Sequence, residues 1–409
     1  MTKLSQYTLL ISAASCVFIT LGLNHTQGLF LLPMSEKLNT GRELFSLAGG
    51  LGVLFSGLFA PIFGGLSDKY GAGKALSILC SLQLLSWIWL GNIENNFDLV
   101  GARILLGIGA SAILGIALSV TGKSVSASNK SLFLGLIMAS GSLGQFIVVP
   151  IINIIIQNYD WQMATVVSAF IVSSIFLFSF LISKNISSEK TNLPESGDIE
   201  GKDVSVKPQS LTGSLKEASK NKSYILLTTG FFVCGFHVTF VGTHLPAFLN
   251  DNNLQAWVGA SALSLIGLFN IIGTLSFGYL GSKLSKKNLL SVLYSMRSLL
   301  FLVFIISPKN ELTVLIFASV LGILWLSTVP LTNGIISDIF GQGYVTMLFG
   351  ITILSHNIGS FLGSWIGGRI YDIYGSYDPV WWICVLLGFT SAAINYPIII
   401  KPVKRLQQA

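Results

Sequence analysis

The stretch NLLSVLYSMRSLLFLVFIIS (residues 288–307) is a predominantly apolar run of helix-compatible residues with one cation, Arg297, at its centre. Twenty helical residues at 1.5 Å each reach about 30 Å, the thickness of a bilayer's hydrocarbon core. The run therefore reads as a membrane span, and the rest of the chain repeats it. Of 409 residues, 52% are hydrophobic and only 10% charged, and the mean hydropathy is +0.73. A soluble chain carries about a quarter charged residues. Twelve apolar segments are expected, over 7–32, 44–66, 75–92, 96–122, 131–157, 162–183, 223–250, 256–281, 288–307, 311–336, 345–370 and 379–400. The predicted fold is all-α, and the protein is polytopic. The first segment is too long for a cleavable leader and is expected to remain as the first span.

Charge placement fixes an expected orientation. With the N-terminus in the cytoplasm, Lys3, Lys69, Lys74, Lys123, Lys130, the seven lysines of 184–222, Lys283, Lys286, Lys287, Lys401, Lys404 and Arg405 all fall inside. Only Lys37, Arg42, Lys309 and Arg369 fall outside, while Arg103 and Arg297 are embedded. That asymmetry follows the positive-inside rule and predicts both termini to be cytoplasmic, with the protein in the cell inner membrane. The net charge of +7 thus reflects orientation. No contiguous basic face exists, so no nucleic-acid partner is expected. The four cysteines lie in spans without metal-ligand spacing and read as small packing residues. No cofactor is expected.

The one long polar stretch, 184–222, carries seven lysines, six acids and two prolines. Such a composition does not bury a core and reads as a cytoplasmic linker, with a short amphipathic helix near Leu211–Ser219. It divides the chain into 1–183 and 223–409, six spans each. The halves resemble one another. GLIMASGSLGQF (135–146) overlays GITILSHNIGSF (350–361) at an offset of 215, and GGLSDKYGAGKAL (64–76) overlays GYLGSKLSKKNLL (278–290) at 214. GLNHTQGLFLLP (22–33) overlays GFHVTFVGTHLP (235–246) at 213. Two pseudo-symmetric six-helix bundles with a site between them are the plan of a secondary transporter.

The turn between spans 2 and 3 reads GGLSDKYGAGK (64–74). It resembles the G-x-L-x-D-[RK]-x-G-x-[RK]-[RK] signature of the major facilitator superfamily, with Gly64, Asp68, Lys69, Gly71 and Lys74 at matching places. RILLGIGAS (103–111) is similar to that superfamily's fourth-helix motif. The resemblance implies the twelve-helix major facilitator fold, a gating role for the 64–74 turn, and a cavity lined by helices 1, 4, 7 and 10. Asp68 is suited to cap a neighbouring helix N-terminus. Further stretches at 235–249, 327–341 and 355–382 resemble the bacterial monocarboxylate and oxalate/formate-like carriers. The eighth helix departs from the animal monocarboxylate carriers, with Asn270 and Thr274 where those have an acid and an arginine.

Ionisable residues inside a membrane are costly and are functional candidates by default. No carboxylate falls at mid-depth, whereas Arg103, Arg297, His25, His237, His244 and His356 all lie within spans. The embedded charge is positive and favours an anionic ligand. The candidate substrate-binding residues are Arg103, the repeat-related pair Asn24 and His237, His356 with Asn357, Trp325 and Asn333 on span 10, and Arg297. Arg103 and Arg297 each admit a second role, holding the carbonyls of a neighbouring helix; for Arg297, on an outer helix opposite Gln83 in the repeat, bracing is the leading expectation.

These observations predict a monomeric secondary carrier of a small organic anion, most simply a monocarboxylate, working by alternating access among membrane lipids. A co-transported proton, carried on a histidine or on the substrate, is one coupling; exchange is another. Rival readings are a carrier of neutral or heteroaromatic metabolites such as a vitamin, an exporter of amphiphiles, and a transporter-like receptor. An intramembrane enzyme would want paired carboxylates at mid-depth, and none occur in the sequence pattern.

Overall fold

The computed structural model of the chain describes residues 3–126, 129–190, 211–341, 345–403 and 406. The centre of the linker, 191–210, lies outside the described residues. Twelve helices are long and apolar enough to cross a membrane: Gln6–Lys37, Arg42–Tyr70, Ala72–Gly91, Asn96–Ser124, Leu132–Asn158, Trp161–Asn185, Lys222–Asp251, Ala256–Lys283, Lys286–Ile306, Glu311–Phe340, Val345–Tyr374 and Asp378–Asn395. They are spans 1 to 12 below, and no strand occurs among the described residues. The expected segments lie within four residues of these at every end but two: span 1 runs on to Lys37 instead of 32, and span 12 ends five residues early. Span 12 stops at Asn395 instead of 400, where Pro397 has no N–H with which to continue the helical hydrogen-bond ladder. A short helix, Leu211–Lys220, ends the linker with Ser214 and Ala218 buried.

The packing repeats between the halves. Span 1 lies along 5, span 2 along 4 and span 3 along 6, while span 7 lies along 11, span 8 along 10 and span 9 along 12. Spans 2 and 11, and spans 5 and 8, carry most of the contacts between halves, and the turn in span 1 packs on span 7 at Gly242. The arrangement is that of two pseudo-symmetric six-helix bundles, as the repeat in the sequence predicts.

Three spans are broken rather than continuous. Span 1 is a helix to Asn24, a tight turn at Gln27–Phe30 and a second helix from Leu31. Span 4 breaks between Ala110 and Ile113, and span 10 between Leu324 and Thr328. A break at membrane depth frees backbone donors and acceptors that only protein groups or a water-filled cavity can satisfy. These breaks fix where the chemistry of the molecule lies.

The halves are clasped at the face opposite the chain termini. The Arg42 guanidinium forks onto Asp251 through Nη1–Oδ2 (2.6 Å) and Nη2–Oδ1 (2.7 Å), and stacks on the Tyr371 ring at 3.6 Å. Asp372 at the end of span 11 accepts from the Arg42 and Glu43 amides, both at 2.8 Å. It thereby caps the N-terminus of span 2 from the other half of the molecule, where a carboxylate is favoured by the helix dipole. Gly41 allows this, since a Cβ there would collide with the Asp372 carboxylate. Glu43 accepts from Arg369 (3.0 Å) and from the Trp365 indole (2.9 Å). At the other face Gly64 and Gly65 have open space where a side chain would stand. Among the described residues, both ion pairs that join the halves, Arg42–Asp251 and Arg369–Glu43, lie at the face opposite the termini, while Lys123–Asp68 and Lys286–Asp338 each stay within one half.

Candidate functional site

A cavity of about 320 Å³ lies between the halves. Spans 1, 2 and 4 line it from one side and spans 7 and 11 from the other, and its walls are largely apolar (Leu21, Phe45, Val53, Leu106 and Val238). The polar groups facing it are few: Asn24, His25 and Gln27 at the break in span 1, Ser56, Arg103, Thr239, Thr243, His356 and Ser360. An apolar chamber with a few placed polar groups is the usual form of a small-molecule site.

Arg103 is the single charge on this wall among the described residues. Its neighbourhood is built by glycine: Gly52 and Gly107 bring spans 2 and 4 so close that a Cβ on Gly107 would collide with the Gly52 carbonyl. The side chain is 3% exposed, and the guanidinium lies over the Phe45 ring with Cζ 4.3 Å from its centroid. Nε and Nη2 are buried and have no hydrogen-bond partner. These two nitrogens lie on one edge of the guanidinium and carry the parallel N–H pair that a carboxylate accepts side-on. Gln27 on the same wall has both amide atoms buried and unpartnered.

Arg297 stands in a different place. It is fully buried and faces the break in span 10, where Nη2 donates to the Leu324 carbonyl and to the Trp325 carbonyl (2.7 Å), and Nη1 to Cys234 Sγ (3.6 Å). Asn270 finishes the same break by accepting the Leu326 amide at 3.0 Å. The Asn270 amide also donates to Ser142 at 2.8 Å, tying spans 8, 10 and 5 together. The position that bears charge in the resembling carriers is here a backbone clamp. The first half holds a neutral copy of the brace: Gln83 Nε2 donates to the Gly109 carbonyl (3.2 Å), beside the break in span 4, and lies 3.5 Å from Thr20. Thr20, Gln83 and Gly109 stand 214, 214 and 215 residues before Cys234, Arg297 and Leu324.

The structure gathers part of the expected site and disperses the rest. Asn24, Arg103 and His356 line one cavity, with His356 Nδ1 3.4 Å from Ser360 Oγ. Asn357 is turned toward span 2, where its amide fills the space beside Gly57. His237 does not meet Asn24. It is fully buried toward span 12, bonded through Nε2 to the Cys384 carbonyl at 2.9 Å and edge-on to Phe301. Trp325 is 1% exposed within an aromatic core, and Asn333 is exposed; span 10 contributes nothing to this cavity. In the 64–74 turn, Gly71 takes φ +96°, a conformation that favours glycine. Asp68 meets Lys123 at 3.4 Å with both side chains 72% exposed.

His244 belongs to the clasp. Its Nε2 lies 2.8 Å from the Ser364 carbonyl, which only accepts, so Nε2 donates and Nδ1 of the neutral ring accepts from Tyr377 at 3.0 Å. Burial pushes the Tyr377 hydroxyl up from its ordinary value, which keeps its proton available for that bond. The Tyr377 oxygen in turn accepts from Arg42 at 3.2 Å.

Gln27 and Phe45 are additions to the expected set. The signal for Gln27 was a run of four polar residues, Asn24 to Gln27, inside an apolar span; Phe45 has none, because an aromatic in a span is ordinarily core.

A family model described as Major Facilitator Superfamily matches residues 13–363. An uncharacterised MFS-type transporter of Bacillus subtilis, YcxA, is 24% identical over 90% of this chain and 88% of its own length. The monocarboxylate transporter 12-B of Danio rerio is 24% identical over 78% of this chain and 72% of its own. The oxalate:formate antiporter of Oxalobacter formigenes is 20% identical over 98% and 94%. Among solved structures, a crystal structure of a point mutant of the nucleoside transporter NupG superposes with a TM-score of 0.76 at 13% identity, covering 97% of this chain and 100% of that one. At that identity the likeness is one of fold.

Proposed function

This chain belongs to the Major Facilitator Superfamily, and we propose that it carries a small organic anion, most simply a monocarboxylate, across the inner membrane by alternating access. The observation that carries the reading is that Arg103, the single charge on the cavity wall among the described residues, has an Nε/Nη2 edge without a partner. A buried cation without a partner is costly to keep, and a bound carboxylate would remove that cost by two charge-assisted hydrogen bonds. The apolar walls and the small volume suit a short or compact acid with one charge. Relatives named for monocarboxylate and for oxalate and formate transport lend support.

In this reading 1–183 and 223–409 rock about the cavity, joined by 184–222. Both termini face the cytoplasm, as the lysine distribution favours, so the clasped face is the outer one and the Arg42 clasp is its gate. When the molecule turns outward, the turn with Gly64, Asp68, Lys69, Gly71 and Lys74 closes the inner face. One chain builds the whole cavity, so a monomer suffices.

The test is thermal stabilisation of purified protein by formate, acetate, lactate, pyruvate and benzoate, with nucleosides and neutral vitamins as the competing set. Saturable stabilisation by an acid in wild type, lost in Arg103→Gln, supports the reading. Stabilisation by the neutral set alone, equal in both proteins, overturns it. The unpartnered Gln27 amide, with its NH2 donors and carbonyl acceptor, would then mark a site for a neutral ligand.

A further inference from the structure

The repeat fails at one place on the face of the termini, and the failure leaves two cations at the membrane edge. In the first half, span 3 begins against the end of span 6. A Cβ on Gly73 would collide with the Ser183 hydroxyl and the Ser179 carbonyl, so no side chain fits there. Gly73 and Ser183 stand 214 and 213 residues before Lys287 and Tyr396. In the second half span 12 ends at Asn395, whereas span 6 runs on to Asn185. The space so opened holds a lysine. Lys287 Nζ donates to the Tyr396 carbonyl at 3.1 Å and lies 5.8 Å from the centroid of its ring.

Three lysines, Lys283, Lys286 and Lys287, stand at this corner. Lys286 takes Asp338 of span 10 at 2.7 Å. Lys283 and Lys287 form no ion pair among the described residues. Lys287 keeps donors beyond the one it gives to Tyr396, since an ammonium carries three. Lys283 Nζ sits 4.6 Å from the centroid of the Tyr279 ring, at the end of an outward stripe of span 8. Ile272, Leu275 and Tyr279 are 51%, 59% and 60% exposed and recur three and four residues apart ahead of Lys283. Tyr396 is 69% exposed beside Lys287. An apolar stripe that passes a phenol ring and ends in a cation matches a phospholipid along its length, from acyl chain through the interfacial region to phosphate.

We propose that the ends of spans 8, 9 and 12 form a headgroup site for one anionic phospholipid of the leaflet on the side of the chain termini. Lys283 and Lys287 hold its phosphate as two point charges. Tyr279 and Tyr396 flank the glycerol region, and one acyl chain lies along the span 8 stripe. A zwitterionic lipid brings its own ammonium to the same place and is disfavoured there by like charge. The site is on the lipid-facing rim, apart from the cavity between the halves, and does not depend on what that cavity carries.

Native mass spectrometry of the purified full-length protein tests this, by titration with phosphatidylglycerol or with phosphatidylcholine of the same acyl chains. Wild type should bind one phosphatidylglycerol roughly 30-fold more tightly than phosphatidylcholine, at about fivefold for each lysine facing a lipid anion. Lys283→Gln/Lys287→Gln should erase that preference and leave phosphatidylcholine binding unchanged. Lys220→Gln/Lys222→Gln removes the same charge from the same face, but beside span 7, which spans 8, 10, 11 and 12 enclose. It should alter the preference less than about threefold, because it leaves both lysines of the site in place. Equal binding of the two lipids by wild type overturns the proposal. So does an equal loss in both double variants, which would mean diffuse attraction to a basic face. Displacement of the lipid by inorganic phosphate also overturns it, since the site would then serve a soluble anion.

Discussion

Arg103 and Arg297 are the same residue type, both buried at membrane depth in helices that reach across a bilayer. Their surroundings differ in one respect that separates a brace from a binding group. Nη1 and Nη2 of Arg297 are spent on two carbonyls released by the break in span 10 and on a thiol, and Nε alone is left without a partner. The side-on edge of Arg103 has no hydrogen-bond partner, and the residue lines a cavity. An embedded charge alone therefore does not mark a ligand site. Unmet hydrogen-bonding capacity beside an open volume does, because a buried donor without a partner is the more expensive state.

Arg103→Gln gives the largest expected effect on binding. Losing one partner of a buried, bidentate charge pair costs on the order of 2–5 kcal/mol, which is about 30-fold or more in affinity. Titration of the bound acid by thermal shift or equilibrium dialysis measures it. The stability of the ligand-free protein should stay level or rise, since an unpartnered cation is being removed. A fall in ligand-free stability would break the contrast, by showing that Arg103 braces helices after all.

Arg297→Leu should do the opposite. Two carbonyls at the span 10 break lose their donor, and each unsatisfied group costs about 1–3 kcal/mol. A loss of roughly 3 kcal/mol in unfolding free energy is expected, read from denaturation in detergent. Arg297→Lys, which keeps a charge and rotatable donors but not the planar fork, should recover part of it. Carboxylate affinity of the folded fraction should remain within about threefold of wild type. A large affinity loss at preserved stability would move Arg297 into the site.

Much of this architecture was legible before any coordinates. Span count, the repeat and the bracing role of Arg297 follow from apolar length and from offsets between halves, both of which are local and additive along the chain. Arg103 and His356 were legible as embedded polar residues, and the structure puts both on the cavity wall. The expected pairing of Asn24 with His237 is not seen, for a physical reason. The repeat preserves position along a helix but not local backbone: span 1 breaks after Asn24, while span 7 runs unbroken from Lys222 to Asp251. His237 consequently turns toward the Cys384 carbonyl on span 12. Helical rotation of about 100° per residue decides which groups face a cavity, and a one-residue change at a break undoes symmetry that sequence comparison shows as intact.

The outer clasp supplies a third guanidinium to set beside the first two. Arg42 finds an acid, Asp251, with side chains 12% and 25% exposed, whereas the neighbouring Arg369–Glu43 pair is 53% and 33% exposed. Removing the sheltered fork should weaken closure of that face by about 1–2 kcal/mol, or roughly tenfold in population. Gly242→Cys provides the reporter: it lines the cavity with open space for a Cβ, and the four native cysteines are buried. Labelling by an impermeant thiol reagent added at the clasp face should quicken about tenfold with Arg42→Ala. It should change less than about threefold with Arg369→Ala, since an exposed pair is worth little. Equal effects would mean that burial does not set the strength of this gate.

The smallest effect belongs to Gln83, the neutral counterpart of Arg297. Both side chains donate to a carbonyl beside a break in the span that packs next to them, and both touch the same position of the first helix of their half, Thr20 or Cys234. The amide makes one bond of 3.2 Å where the guanidinium serves two carbonyls. A neutral hydrogen bond contributes about 0.5–1.5 kcal/mol net, so Gln83→Leu should cost about 1 kcal/mol against roughly 3 for Arg297→Leu. The same denaturation measurement compares them directly. Should the two substitutions cost the same, the charge on Arg297 would add nothing to the brace, and the sole reason to keep a cation at that depth would be a ligand.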